Sequence, residues 1–136
     1  MAYDVYRAIL TTLWDDPWVR KLSDAQCLFF IFLIINPRQT PAGMYKASPE
    51  QLWADYRRKD RTPKELAGWL EEFQASGKVV YDRGWVWVVN FVRHRAFLNP
   101  TVGAGIGKCL NQCPSRLIYD GFWARYKGIK QIAELV

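Results

Sequence analysis

"RRKDRTPKELAGWLEEFQASGKVVYDRGWVWVVNF", residues 57–91, decides the fold, because its hydrophobic period switches once, at a glycine. Before Gly77, Leu66, Leu70 and Phe73 recur at three- and four-residue spacing with Ala67 and Trp69 beside them, the inward stripe of a helix. Thr62 stands three residues before Glu65. Its hydroxyl can accept from the third backbone N–H while the carboxylate reaches back, and Pro63 at the first helical position gives up no hydrogen bond. This predicts a helix over 63–76, with Gly77 as its left-handed stop. After Gly77 the period falls to 2. "KVVYD" and "WVWVVNF" are β-branched and aromatic, and Arg83-Gly84 between them predicts an antiparallel hairpin with a tight turn. Trp85 and Trp87 share one side of the second strand, Val86 and Val88 the other. Both faces therefore need cover, from within the chain or from a second copy.

Working outward, the same helix-start signal recurs twice upstream. "SDAQ" at 23–26 and "SPEQ" at 48–51 each place Ser three residues before Gln. The first predicts a helix over 24–36 that stops before Pro37; it is apolar almost all round and so central. The second predicts a helix over 49–56, with Leu52, Trp53 and Tyr56 on one face. A short strand is expected at "GMYKA", 43–47. The order helix, strand, helix, helix, strand, strand is that of a winged helix-turn-helix. The expected class is thus α+β, mainly α: three helices and a β-hairpin wing over 1–98, with a helical C-terminal extension over 99–136 packed on it. Segment 1–22 (Val5, Tyr6, Ile9, Leu10, Leu13, Trp14, Trp18) has no clear period and wraps the core as helix or strand. Beyond Pro100, Val102, Ile106 and Leu110 mark one helix. Leu117, Ile118, Phe122 and Trp123 mark a second after Cys113–Pro114, with "KGIKQIAELV" as a third. Each glycine within 101–108 weakens the first of these by about 1 kcal/mol.

Composition excludes several classes. The chain has 136 residues, half of them hydrophobic and seven of them Trp, which suits one folded domain with an extension. Its longest apolar run, Cys27 to Ile35, falls short of the roughly 20 residues a bilayer span needs. No basic-then-apolar leader opens the chain, and three cysteines without a framework spacing fit a reducing cytoplasm. Cys109 and Cys113 lack further ligands for a structural metal, and His94, the one histidine, sits between two arginines. "GAGIGK" at 103–108 departs from the phosphate-loop pattern at Val102 and Cys109, and from the dinucleotide pattern at Lys108. Asp15 and Asp16 adjoin on an extended-looking segment, so their side chains should diverge and form no acid/base pair. Nothing assembles a nucleophile, a base and an oxyanion donor. The expectation is no enzyme, no cofactor, no metal and no small-molecule substrate.

Charge points elsewhere. Residues 1–56 carry five Lys/Arg against six Asp/Glu, a net of −1, whereas 57–136 carry fourteen against seven, a net of +7. The densest run is 57–64. A polyanion is the natural partner, nucleic acid first. In a winged helix, duplex DNA meets the start of the third helix, the preceding turn and the wing. Here those supply Arg57, Arg58, Lys59, Arg61, Thr62, Lys64 and Arg83 as candidate DNA-binding residues. The outward face of that helix opposes deep insertion, because Lys64, Glu65, Gly68, Glu71 and Glu72 give it a net charge of −2. A solvated turn and a protein-binding surface are the other readings of 57–64. A second basic set (Arg93, His94, Arg95, Lys108, Arg116, Arg125, Lys127, Lys130) interleaves with Phe97, Tyr119, Trp123 and Tyr126. It could hold single strands, although those aromatics more simply belong to the core.

In its order of residues the chain resembles the N-terminal domain of phage replisome-organiser proteins and DnaD-type primosomal proteins. The match is carried by Trp14, Asp16-Pro17, Leu22-Ser23, Asn36-Pro37, Gly43-Met44-Tyr45, Val89-Asn90-Phe91, Arg93-His94 and Asn99-Pro100. That resemblance implies a winged-helix domain of phage or prophage DNA replication that associates with DNA and with itself and scaffolds helicase loading. The link between the second and third helices is usually uncharged in that family; here it is "RRKDR". Two other functions stay open: a protein-interaction or oligomerisation module of a replisome, and a small winged-helix transcription regulator.

Overall fold

A computed structural model of the chain describes residues 9, 11–92, 100–129 and 132. Over these residues it is a mixed α+β structure, 59% helical, with one three-stranded antiparallel sheet. A 3-10 helix at Thr11–Asp15 leads into α1 (Pro17–Arg20), α2 (Asp24–Ile35), β1 (Met44–Lys46), α3 (Pro49–Tyr56) and α4 (Pro63–Ala75). The hairpin β2 (Val79–Asp82) and β3 (Trp85–Val88) follows, then α5 (Pro100–Gln112) and α6 (Arg116–Tyr126). β3 is central, in the order β1-β3-β2, pairing Tyr45 with Val86 on one side and Tyr81 with Val86 on the other.

The helix boundaries are set by side chains. Ser23, Ser48 and Thr62 each accept from the backbone N–H three residues on, at 3.1, 3.1 and 3.2 Å. Only Ser48 forms the reciprocal box, with Gln51 Oε1 accepting from its backbone N–H at 2.9 Å. The other two partners are drawn away, one by a tertiary contact and one by a neighbour four residues upstream. Gln26 donates to Glu72 at 2.5 Å, and Glu65 accepts from Arg61 at 3.2 Å. α4 ends in a Schellman motif: Lys78 N donates to Phe73 O at 3.0 Å and Gly77 N to Gln74 O at 2.9 Å, with Gly77 at φ +74°.

Phe29, Leu33, Met44, Leu52, Leu66, Leu70, Phe73 and Val79 are buried at the centre, joining α2, α3, α4 and the sheet. Trp18 closes one side of this core, edge-on to Phe30 at 4.9 Å and to Phe73 at 5.2 Å. It is carried by a single helical turn whose first residue Asp16 caps, accepting from Trp18 N at 2.8 Å and pairing with Lys78 at 3.1 Å. The neighbouring Asp15 lies instead 3.8 Å from Arg20, so the two carboxylates do diverge. Segment 11–20 is therefore helical, in two short pieces. Val5, Tyr6 and Leu10 lie outside the described residues.

α6 covers the Trp87 side of the sheet. Trp87 is buried with its ring 6.1 Å from Phe122, and a Cβ on Gly121 would stand 3.0 Å from that ring. Ser115, the cap of α6, donates to Asp82 at 2.7 Å, and Tyr126 donates its hydroxyl to Val89 O. α5 forms despite its glycines, and Gly105 lets it approach Pro41. The inward line of α6 is Ile118, Phe122 and Tyr126; Leu117, expected on that face, is exposed. α2 is central but not enveloped, since Leu28 and Ile35 stand in solvent at 41% and 45% exposure. The third C-terminal helix expected over 127–136 falls largely outside the described residues, of which Ile132 is buried.

Candidate nucleic-acid interface

The link from α3 to α4 is fixed residue by residue. Arg57 ends α3 at φ 59°, ψ 30°, in the left-handed region, with its N–H on Trp53 O. Arg58 to Arg61 then form a β-turn, Arg61 N donating to Arg58 O at 3.0 Å. Thr62 begins α4. The indole N–H of Trp53 donates to Arg61 O at 2.6 Å and ties the far end of the turn back to α3. A loop held by so many hydrogen bonds presents its side chains from a settled backbone.

The seven candidate residues divide by their surroundings. Arg57, Arg58, Lys59 and Lys64 are exposed and, among the described residues, carry no ion pair. Arg61 is different. Its guanidinium bonds Glu65 at 3.2 Å, lies 3.8 Å from Asp60 and sits over the Trp69 ring at 5.3 Å. It braces the corner, and its charge is already answered. Burial pushes the Tyr56 hydroxyl above its ordinary range, with the Arg58 and Arg61 charges pulling against that shift. Thr62 spends its acceptor on the cap but keeps a hydroxyl proton to donate.

Arg83 lies elsewhere. It and Gly84, at φ 53° and 78°, form the two-residue turn of the β2–β3 hairpin, the mirror-image geometry that matches strand twist. Gly84 O accepts from Ala47 N at 2.9 Å, which fixes this turn beside the start of α3. Arg57 is at the other end of that helix, and eight residues at about 1.5 Å each put roughly 12 Å between the two. The site is thus two cationic points rather than one patch.

The surface between them is not cationic. An open groove of about 590 Å³ runs along α4 and β2, its walls including Ala67, Leu70, Glu71, Gln74 and Tyr81. Glu65, Glu71 and Glu72 all lie along α4, and Glu72 is engaged by Gln26. Of the second basic set, Arg116 pairs with Asp120 at 3.2 Å and lies 5.3 Å over Tyr119, and Arg125 bonds Asn90. Arg93, His94, Arg95, Phe97 and Lys130 lie outside the described residues. Among the described residues no three His, Cys, Asp or Glu side chains gather as metal ligands, and no helix is long and apolar enough to cross a membrane.

The residue that sequence spacing misplaced is Trp53. It belongs with Leu52 and Tyr56 by pattern, yet those two are buried while Trp53 is 38% exposed. The signal was present: Leu52 and Tyr56 alone satisfy the four-residue spacing, and Trp53 lies about 100° round the helix from Leu52. Comparison of the chain with protein-family models, with curated proteins and with solved structures found no match.

Proposed function

We infer that the chain is a winged-helix DNA-binding protein without catalytic activity, of the kind that phage and prophage replication uses. It contacts duplex phosphates through the α3–α4 turn and the hairpin. The element order from α2 to β3 and the strand order β1-β3-β2 suit that fold. One observation carries the reading. Among the described residues only two non-glycine side chains have positive φ, and both are arginines: Arg57 and Arg83. Each stands in one of the two loops from which a winged helix grips DNA. Holding a residue with a Cβ in the left-handed region costs of order 1 kcal/mol or more. Glycine or asparagine would serve both turns better. Arginine at both is explained by what its guanidinium binds. With Arg61 occupied and the middle of α4 acidic, contact is shallow and addresses phosphates, not base edges.

The test is binding of labelled random duplex to the wild type and to a variant with Arg57, Arg58, Lys59 and Lys64 changed to Glu. Arg61 is left intact to keep the corner folded. Loss of binding in the variant supports the reading, and equal binding by both refutes it. Discrimination of one duplex sequence by about a thousandfold or more would instead identify a transcription regulator.

A protein-interaction module is the second reading, favoured by Leu28 and Ile35, seven residues apart on α2 and both exposed, with Trp14 at 58%. It predicts a molecular mass that rises with concentration and falls back when Leu28 and Ile35 are changed to Lys.

A further inference from the structure

We propose that Trp53 is the stacking platform for an unpaired base, so that the α3–α4 turn holds single-stranded nucleic acid in preference to blunt duplex. This rests on the reading of that turn as a nucleic-acid contact and adds to it the class of strand.

Trp53 is 38% exposed, on the flank of the buried Leu52–Tyr56 line of α3. Its polar atom is already satisfied: Nε1 donates to Arg61 O at 2.6 Å. What is left for a ligand is the apolar, electron-rich part of the ring, held in one orientation by that bond. Arg57, whose backbone N–H donates to Trp53 O at 3.1 Å, and Arg58 and Lys59 follow Trp53 in the chain and are exposed. A fixed aromatic surface flanked by unpaired cations is the pairing that single-strand sites use: stacking takes the base and the cations take the phosphates on either side.

The surroundings disfavour a paired base there. A base within a duplex is stacked on both faces, and exposing one to Trp53 would require unstacking at a cost of a few kcal/mol. A second strand laid along α4 would also bring its phosphates toward a helix whose Glu65, Glu71 and Glu72 outnumber its one lysine, Lys64.

The experiment compares a short labelled oligothymidine with a blunt random duplex of equal length, using the full chain, W53A and W53F. Expected results are tighter binding of the oligothymidine by the wild type, and a loss of about ten- to hundredfold for that ligand in W53A, the range for one stacked base. W53A also removes the indole bond to Arg61 O that ties the turn to α3, so circular dichroism is its folding control, and the oligothymidine loss should exceed the duplex loss by about tenfold or more. W53F keeps a stacking ring but lacks the indole N–H that orients it, so it should recover part of the oligothymidine affinity and share the duplex affinity of W53A. The quenching of tryptophan emission that oligothymidine causes in the wild type should be much reduced in W53F. Equal losses for both ligands in W53A, or undiminished quenching in W53F, would overturn the stacking platform while leaving the phosphate contact intact. Competition by a glutamate-rich peptide as effective as by oligothymidine would overturn it in favour of an acidic protein partner. No binding of either DNA by the wild type would bring down the phosphate reading itself.

Discussion

Replacing Arg57 and Arg83 by glycine should make the protein more stable and worse at binding DNA. Both residues sit at positive φ, 59° and 53°. That conformation costs an L-residue about 1–2 kcal/mol, whereas glycine adopts it freely and is penalised by about 0.5–1 kcal/mol of extra chain entropy. The difference is a net gain of roughly 0.5–1 kcal/mol per site, or about 1–2 kcal/mol for the pair. The sites lie at opposite ends of α3 without shared partners, so the gains should add. For a chain of this size such a gain raises Tm by roughly 3–8 °C. The same double variant removes two of the proposed phosphate contacts, so the slope of log affinity against log salt should flatten by about 2. Thermal unfolding followed by circular dichroism and a fluorescence-anisotropy titration over a salt series read the two effects on one preparation. A double variant that melts below the wild type would show that the arginines are not strained. One that melts higher but binds with an unchanged slope would show that the strain does not serve DNA contact.

Other expectations concern the frame that presents these residues. Thr62→Ala removes the cap of α4 and should cost about 1 kcal/mol by denaturant unfolding. Ser48→Ala, which breaks a reciprocal box, should cost at least as much. Gly121→Val forces branched carbons against the Trp87 ring, which a Cβ alone would approach to 3.0 Å, and should destabilise by about 1–3 kcal/mol. Asp16 tests the pH response. Burial acts to raise its pKa, but the Lys78 ammonium and the N–H groups of Trp18 and Val19 outweigh it, and the net shift is downward. A lowered carboxyl stabilises the fold above its ordinary value of 3.8 and loses that contribution as pH falls through the folded value. Asp16→Asn keeps the cap and loses the charge. Because the pair is partly solvated, it should be less stable than wild type by about 1 kcal/mol or less near neutral pH. The gap should close on acidification below 3.8.

The sequence was most readable where short-range chemistry decides the outcome. Thr62, Pro63 and Gly77 bracket α4 through hydrogen bonds within a few residues of each other, and the change of period after Gly77 locates the hairpin. That β1 joins the β3 edge and not the β2 edge is shown only by the structure. Legibility failed where a tertiary partner competes for a side chain. Gln26 and Glu65 looked like box residues, but Glu72 and Arg61 claim them. Arg61 looked like one more cation of a basic run. Its four-residue spacing to Glu65 stands in the sequence, but its seat above the Trp69 ring does not. Leu117 and Ile118 are adjacent and equally apolar, so the rotation of α6 on Trp87 decides which is buried. Trp53 shows the same gap at the candidate site: its helix face was readable, whereas the bond that holds its ring at the surface joins it to a carbonyl across a turn.

The measurement that bears most directly on the account is the salt dependence of binding to random DNA. Arg57, Arg58, Lys59 and Lys64, which carry no ion pair among the described residues, together with Arg83, should neutralise four to five phosphates. The slope of log affinity against log salt should then be about −4. Changing the four turn residues to Glu should abolish binding at low salt. A slope near zero, or binding that survives those changes, would contradict the account.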